Sequence, residues 1–244
     1  MRETLVIFRR ELKSYFLSPI AYVFGLLMLA VLLIFAVGST LVDGQQSTMQ
    51  GFFSVLPWVF LFFLPALTMR LWAEERKLGT IELLMTFPVR IGHLVLGKFA
   101  AALLFLGFLL LMTFGLPLTL GAYGRLDWAP VIAEYVASLL FASAFVAVGM
   151  FWSSTTRDQI VAMLLSLVSL LLLFVLGYPV LIEMLTGWMP AWMIDVLNGV
   201  SPYKYFESIT RGVLDTRDIV YFACFCGFFL YMNALVLQAR RHKG

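Results

Sequence analysis

Charged side chains punctuate this chain, and between them lie long apolar runs. Six stretches carry no charge: 29 residues between Lys13 and Asp43, 26 between Asp43 and Arg70, 26 between Lys98 and Arg125, 22 between Glu134 and Arg157, 24 between Asp158 and Glu183, and 21 between Asp218 and Arg240. Each exceeds the ~20 residues a helix needs to cross the hydrocarbon of a bilayer. Only helices and closed barrels satisfy every backbone group in lipid, and continuous runs such as Val161 to Leu176 lack the alternation of barrel strands. The pattern therefore predicts an all-α integral membrane protein, a single membrane domain over 1–244, with six transmembrane helices at about 20–42, 52–71, 99–121, 131–152, 160–182 and 219–238.

The segments outside the spans carry their own patterns. Leu5, Phe8, Leu12 and Tyr15 recur at helical spacing while Arg2, Arg9 and Lys13 fall on another face, and Ser18-Pro19 ends the run. This predicts an amphipathic interfacial elbow helix over 1–18, which anchors at the headgroups or also braces a cytoplasmic partner. In the loop over 73–98, Gly79 breaks a helical run, Thr80 is a good N-cap, Glu82 falls in the first turn of a new helix, and Pro88 limits that helix to about Ile81–Thr86. Its apolar residues Ile81, Leu83, Leu84, Met85 and Phe87 need a cover, either lipid or the groove of another protein. Segment 183–218 holds Trp188, Trp192, Tyr203 and Tyr205 among Pro190, Gly199 and Pro202. With the Gly177-Tyr178-Pro179 interruption it predicts a re-entrant or interfacial hairpin, or else an aromatic belt. Glu134, about one turn into span four, is expected to snorkel to the surface.

Composition sharpens the class. Of 244 residues, 62% are hydrophobic and 13% charged, against about 25% charged in ordinary soluble domains. Soluble folds, disorder and disulfide scaffolds are excluded together, and a net charge of +3 does not suggest nucleic acid as a partner. With six spans both termini share one side. That side collects 13 of the 17 basic residues, among them Arg70, Arg76, Lys77, Arg90 and Lys98, which puts it in the cytoplasm. The acidic residues discriminate weakly, six on that side and eight on the other. The first run is about twice the length of a signal-peptide core and is expected to stay uncleaved.

Candidate chemistry is sparse. Gly92, Gly97 and Lys98 have the spacing of a phosphate-binding loop, but Phe99 stands where a metal-binding hydroxyl is needed and no strand precedes. Lys98 then reads as a basic anchor at the cytoplasmic end of span three, expendable beside Arg90. His93 and His242 gather no cluster, and Cys224 and Cys226 sit on divergent helix faces, so no catalytic or metal site is expected. The span interiors offer only Thr113, Ser138, Ser143, Ser166, Ser169 and Asn233, which suit helix packing better than ion coupling. Energy or chemistry is expected from another subunit.

Several phrases, in order, cover almost the whole chain: Arg10-Glu11-Leu12-Lys13-Ser14-Tyr15-Phe16-Leu17-Ser18-Pro19; Met69-Arg70-Leu71-Trp72-Ala73-Glu74-Glu75-Arg76-Lys77-Leu78-Gly79-Thr80-Ile81-Glu82-Leu83-Leu84; Leu96-Gly97-Lys98-Phe99; Gly149-Met150-Phe151-Trp152-Ser153-Ser154-Thr155-Thr156-Arg157-Asp158-Gln159; and Val200-Ser201-Pro202. In these the chain resembles the permease subunits of ABC-2-type exporters, closest to the gliding-motility and nitrous-oxide-reductase-maturation branch. The resemblance implies a non-catalytic subunit of a bacterial cytoplasmic membrane that dimerises with a second copy or a homologous membrane subunit. It also implies two ABC ATPase subunits as partners, which carry ATP and Mg while this chain binds no cofactor. The loop after span two becomes a coupling helix, with Glu74, Glu75, Arg76, Gly79, Thr80, Glu82, Leu83, Leu84 and Pro88 at the ATPase. Arg9, Arg10, Glu11 and Lys13 mark the elbow, and Ser201, Pro202 and Tyr203 an outer gate. A passive channel or carrier, or a structural anchor of an assembly, are the alternatives.

Overall fold

Proline, glycine and short acidic caps set the helix boundaries. The computed structural model describes residues 2–42, 49–81, 90–123, 126–185, 189–210 and 215–241, and these are helical nearly throughout. Helix α1 (Arg2–Leu17) stops at Ser18, and Pro19, which has no N–H to satisfy, opens α2 (Pro19–Val42). Helix α3 (Gln50–Thr68) runs through Met69 into α4 (Arg70–Lys77), whose end is fixed by Gly79 at φ +70°, a conformation that side chains with a Cβ rarely adopt. Then come α5 (Ile91–Met112), α6 (Gly115–Tyr123), α7 (Trp128–Thr155) and α8 (Gln159–Val175). The Asp127 carboxylate caps α7 by accepting from the Ala129 N–H, and Asp158 caps α8 by accepting from Ile160. Short helices α9 (Pro179–Leu185), α10 (Ala191–Val200) and α11 (Pro202–Thr210) precede the long α12 (Thr216–Arg241).

Five stretches are long and apolar enough to cross a membrane: Pro19–Gly38, Gln50–Lys77, Ile91–Ala122, Trp128–Thr155 and Thr216–Ala239. The fifth predicted span, 160–182, is not one straight helix. It breaks after Val175 into α8 and α9, bent by 66°, because Gly177 and Pro179 interrupt it, and counting the bent pair as one span gives six. Other boundaries move as well: the second span runs on to Lys77 rather than ending at 71. The third span begins at Ile91 rather than 99, so Lys98 lies inside it. The fourth begins at Trp128, which sets Glu134 nearly two turns in, 2% exposed rather than snorkelling.

Helix α7 is the hub, with α3, α5, α8, α11 and α12 packed around it. Its small residues make that possible. Ala133, Ala137, Ala142, Ala144 and Ala147 are buried and let neighbouring backbones approach. Two of the polar residues of the spans pair with side chains of the packing: Trp152 Nε1 donates to Ser169 Oγ at 2.8 Å, and Thr113 pairs with the Tyr135 hydroxyl at 3.0 Å. By contrast α2 and α12 are largely exposed along one side, as suits surfaces wetted by lipid.

Helices α3 and α7 meet closely at Gly149, where an added Cβ would lie 2.1 Å from Thr68 Oγ1 and 2.9 Å from its Cβ. Thr68 is fully buried and donates back to the Leu64 carbonyl, so it has nowhere to turn. Gly149→Ala is expected to lower the thermal midpoint of the purified protein, by an overpacking cost of about 1–3 kcal/mol. Adding Thr68→Gly should recover most of the loss. Unchanged stability of the single variant would show that α3 and α7 can separate freely.

Candidate functional site

At one end of the bundle, chain-distant helices are tied by charge. Lys98 of α5 is 2% exposed, and a buried ammonium needs opposite charge and hydrogen bonds around it. It finds them in Glu75 of α4, whose Oε1 accepts from Nζ at 2.9 Å, and in Glu11 of α1, with Oε1 at 3.2 Å. Its Nζ also lies 4.9 Å from the centre of the Trp72 ring, on the face where a cation is attracted. Arg10 approaches the same Glu75 oxygen at 3.9 Å but stays mostly in solvent. One lysine therefore joins the elbow helix, the end of span two and the start of span three.

The packing beneath explains why these side chains meet. Gly97 lets α1 sit directly on α5, since a Cβ there would come within 2.8 Å of the Ile7 side chain. Further along, Tyr15 stacks on Phe105 with ring centres 5.1 Å apart, and Phe16 meets Phe105 and Phe108 edge-on. Burial keeps the Tyr15 hydroxyl well above the usual tyrosine range, with Glu11 adding to the effect, so it remains a donor. Ile7, Glu11 and Tyr15 face α5; of the predicted apolar stripe, Phe8, Leu12 and Tyr15 are half-buried and Leu5 is 52% exposed. Arg9 and Lys13 are exposed and stand apart from the cluster.

Helix α4 is fastened to α7 as well. Ser153 Oγ accepts from the Trp72 and Ala73 N–H groups at 3.0 and 3.2 Å and donates to the Met69 carbonyl at 2.8 Å. Arg76 Nη1 donates to the carbonyls of Ser154 at 3.0 Å and Thr156 at 2.7 Å, satisfying acceptors left open where α7 ends. The Thr80 hydroxyl donates to the Glu75 carbonyl at 3.2 Å beside the end of α4, and the N–H groups of the helix it is predicted to cap lie outside the described residues. Thr80 and Ile81 are helical, and Ile81 packs against the Leu71 and Trp72 cluster. Glu74 is half-buried beside Arg70 in a cavity under the elbow. Glu82, Leu83, Leu84 and Pro88 lie outside the described residues.

The predicted outer-gate residues lie at the opposite end of α8, about 25 Å away for a helix of that length. Ser201 Oγ donates to the Leu173 carbonyl at 2.7 Å and accepts from the Tyr203 N–H at 3.3 Å, so it occupies the break in span five. Gly177 is needed there, because a Cβ would lie 2.2 Å from Ser201 Oγ. Tyr203 meets Phe174 and Tyr178 at ring distances of 4.8 and 5.7 Å, and Trp58 of α3 closes the group at 4.7 Å from Phe174. Burial, and then Glu207, raise the Tyr203 hydroxyl above its ordinary range. Beside the bend a cavity of about 470 Å3 is lined by Glu183, Asn198, Lys204 and Glu207.

The sequence singles out Arg10 and Glu11 on the elbow and Glu75 and Arg76 in the loop after span two as separate groups, and does not show that Lys98 joins Glu11 to Glu75 or that Ser153 fastens α4 to α7. The signal for Lys98 was available. Ile91, Leu94, Val95, Ala101, Ala102 and Phe105 lie three, four or seven residues from it and all are buried, so the lysine sits on the packed stripe of its helix.

Among known proteins, the family model described as ABC-2 family transporter protein matches residues 6–237, nearly the whole chain. No curated protein matches it.

Proposed function

Because this multi-pass membrane chain belongs to the ABC-2 family of transporter proteins, we propose that it is the permease subunit of an ATP-driven exporter and receives the ATPase stroke through the loop after span two. The observation that carries this is the Glu11–Lys98–Glu75 cluster, which fastens the elbow, α4 and α5 into one body directly before Gly79 and the apolar segment 81–87. A push on that segment reaches α4 first. Through Ser153 and Arg76 it passes to the hub α7, and through Lys98 to α5 and α1. Packed helices respond to such a push by discrete shifts or rotations. The far end of α7 and α8 then feels it at the Ser201 bend, which serves as the outer gate. Two ATPase copies and a second membrane subunit complete the assembly. ATP and Mg belong to the ATPases, in a cytoplasmic membrane with both termini inside. The quoted motifs support the gliding-motility and nitrous-oxide-reductase-maturation branch.

The test is reconstitution. Proteoliposomes holding this chain alone should show no ATP-dependent flux, and adding the ATPase should start it; the P-loop lysine variant of the ATPase should abolish it. Transport by the chain alone, indifferent to ATP, would make it a passive carrier. Orientation is checked by single cysteines in intact cells. Positions Gln45 and Thr186 should label from outside, and Lys77 and Lys243 only after permeabilisation. Outside labelling at Lys77 would overturn the coupling scheme.

A further inference from the structure

The hub helix α7 carries one carboxyl group, Glu134, nearly two turns in from the end that lies away from α4. It is 2% exposed. Among the described residues no donor or cation meets its carboxylate, and Ser138 Oγ, one turn on, donates instead to the Glu134 backbone carbonyl at 2.7 Å. Helical phase shows what covers it. Glu134, Ser138, Phe141 and Phe145 recur at spacings of four, three and four and are all buried, so they share one face of α7. On that face Phe141 meets Phe206 of α11 with ring centres 5.0 Å apart, directly after the Ser201 bend. Helix α11 therefore lies over the stripe that ends in Glu134.

The surrounding helices bring little charge to this stripe. Helices α3 and α8 have no ionisable side chain. Helix α11 brings Lys204 and Glu207 with Tyr203 and Tyr205, and the first turns of α12 bring Arg217, Asp218 and Tyr221. Cys226 is paired with Ser143 on the opposite face of α7, and the charged groups of α4 and α5 gather at the far end around Lys98. A carboxylate without a counter-charge is far costlier in such an interior than a neutral acid. A metal ion would need six or more oxygens, and the stripe's other oxygen, on Ser138, is turned to the backbone. A proton needs only the carboxyl itself. We propose that Glu134 is a proton-binding site beneath α11. While α11 is seated the carboxyl holds its proton; when α11 lifts, the O–H bond breaks, the electron pair stays on the carboxylate and the proton passes to the water admitted at that end. This rests on the reading of Ser201, Pro202 and Tyr203 as an outer gate, and it makes opening easier as the outer pH rises. Because the seated form holds one proton that the open form loses, the opening equilibrium shifts by up to about tenfold per pH unit.

Infrared spectroscopy and hydrogen exchange of the full chain in lipid nanodiscs test this, with Glu134→Gln as the isostere that cannot ionise. At neutral pH the wild type should show the carbonyl band of a neutral carboxyl group. Glu134→Gln should lack that band, and Asp218→Asn should keep it. Exchange of the 201–210 amides is taken as the ratio of wild type to Glu134→Gln, which cancels the intrinsic effect of pH on exchange. That ratio should be near one in acid and rise by up to about tenfold per pH unit above about pH 5, where an open carboxyl ionises. A flat ratio overturns the proposal, as does a wild-type spectrum without the band. Failure of Glu134→Gln to fold overturns it too, because an amide replaces a neutral acid almost atom for atom. If exchange responds as expected while flux in proteoliposomes ignores the outer pH, the proton site stands and the gate reading fails.

Discussion

Lys98→Met is expected to destabilise the protein strongly and, on the proposed function, to uncouple ATP hydrolysis from transport, because its ammonium is buried between two carboxylates. The substitution keeps the length and apolar stem of the side chain but leaves Glu11 and Glu75, each with side chains 13% exposed, facing one another without their cation. Breaking one partner out of a buried ion pair costs about 3–5 kcal/mol, most of it the penalty of the charge left behind. Arg90 cannot substitute, since it is exposed at the helix start and two turns away. The control is therefore Arg90→Ala, expected to change stability by no more than about 0.5 kcal/mol. The triple variant Glu11→Gln, Glu75→Gln, Lys98→Met should regain most of the stability, because replacing every member of a buried charge cluster is far cheaper than replacing one. Thermal midpoints in a single detergent give the comparison, and ATPase activity with flux in proteoliposomes gives the coupling. If Lys98→Met unfolds at the wild-type temperature, the cluster holds nothing together. A Lys98→Met protein that transports normally would show that α4 can move without α5.

The spans were legible because lipid leaves the backbone so few solutions. A run of more than 20 uncharged residues bounded by charges predicts a helix whatever surrounds it, and Pro19–Gly38 or Thr216–Ala239 needed no tertiary information. The break at Gly177 was also visible as punctuation, although the Ser201 hydroxyl that bonds the Leu173 carbonyl beside it comes from 28 residues away. Side chains whose roles arise from packing were hidden. Lys98 and Glu75 are 23 residues apart and meet only because the chain turns back between α4 and α5. Ser153 looked like one more small hydroxyl in a helix, yet it reaches the Trp72 N–H 81 residues earlier in the chain. Glu134 was misread for a simpler reason: the helix begins three residues sooner than its apolar run, at an Asp127 cap, and that shift carried the carboxylate under the surface. Charge counting locates the ends of membrane helices, but caps decide where they start.

The largest functional effect is expected from Leu83→Asp combined with Leu84→Asp, in the segment that follows the structured turn at Gly79. Helix α4 is held by Ser153, Arg76 and Lys98, and Ile81 is already packed on Leu71 and Trp72, so the two leucines begin from a fixed base. On the proposed function they fill a groove in the ATPase. Burying a leucine contributes about 1.5–3 kcal/mol, so losing two weakens docking by on the order of 100-fold or more, before the cost of burying carboxylates is counted. The ATPase should then fail to co-purify, and flux should vanish, while the permease itself keeps its thermal midpoint because α4 is held by Ser153, Arg76 and Lys98. A lipid-lying segment behaves differently. Two aspartates would lift it from the headgroups without touching the ATPase, so complex formation, hydrolysis and transport would all survive. Measuring co-purification beside thermal stability separates the cases: a folded permease without its ATPase supports docking through this segment, and a folded, fully active complex assigns it to lipid and leaves the elbow and α4 as the surface that must carry the stroke.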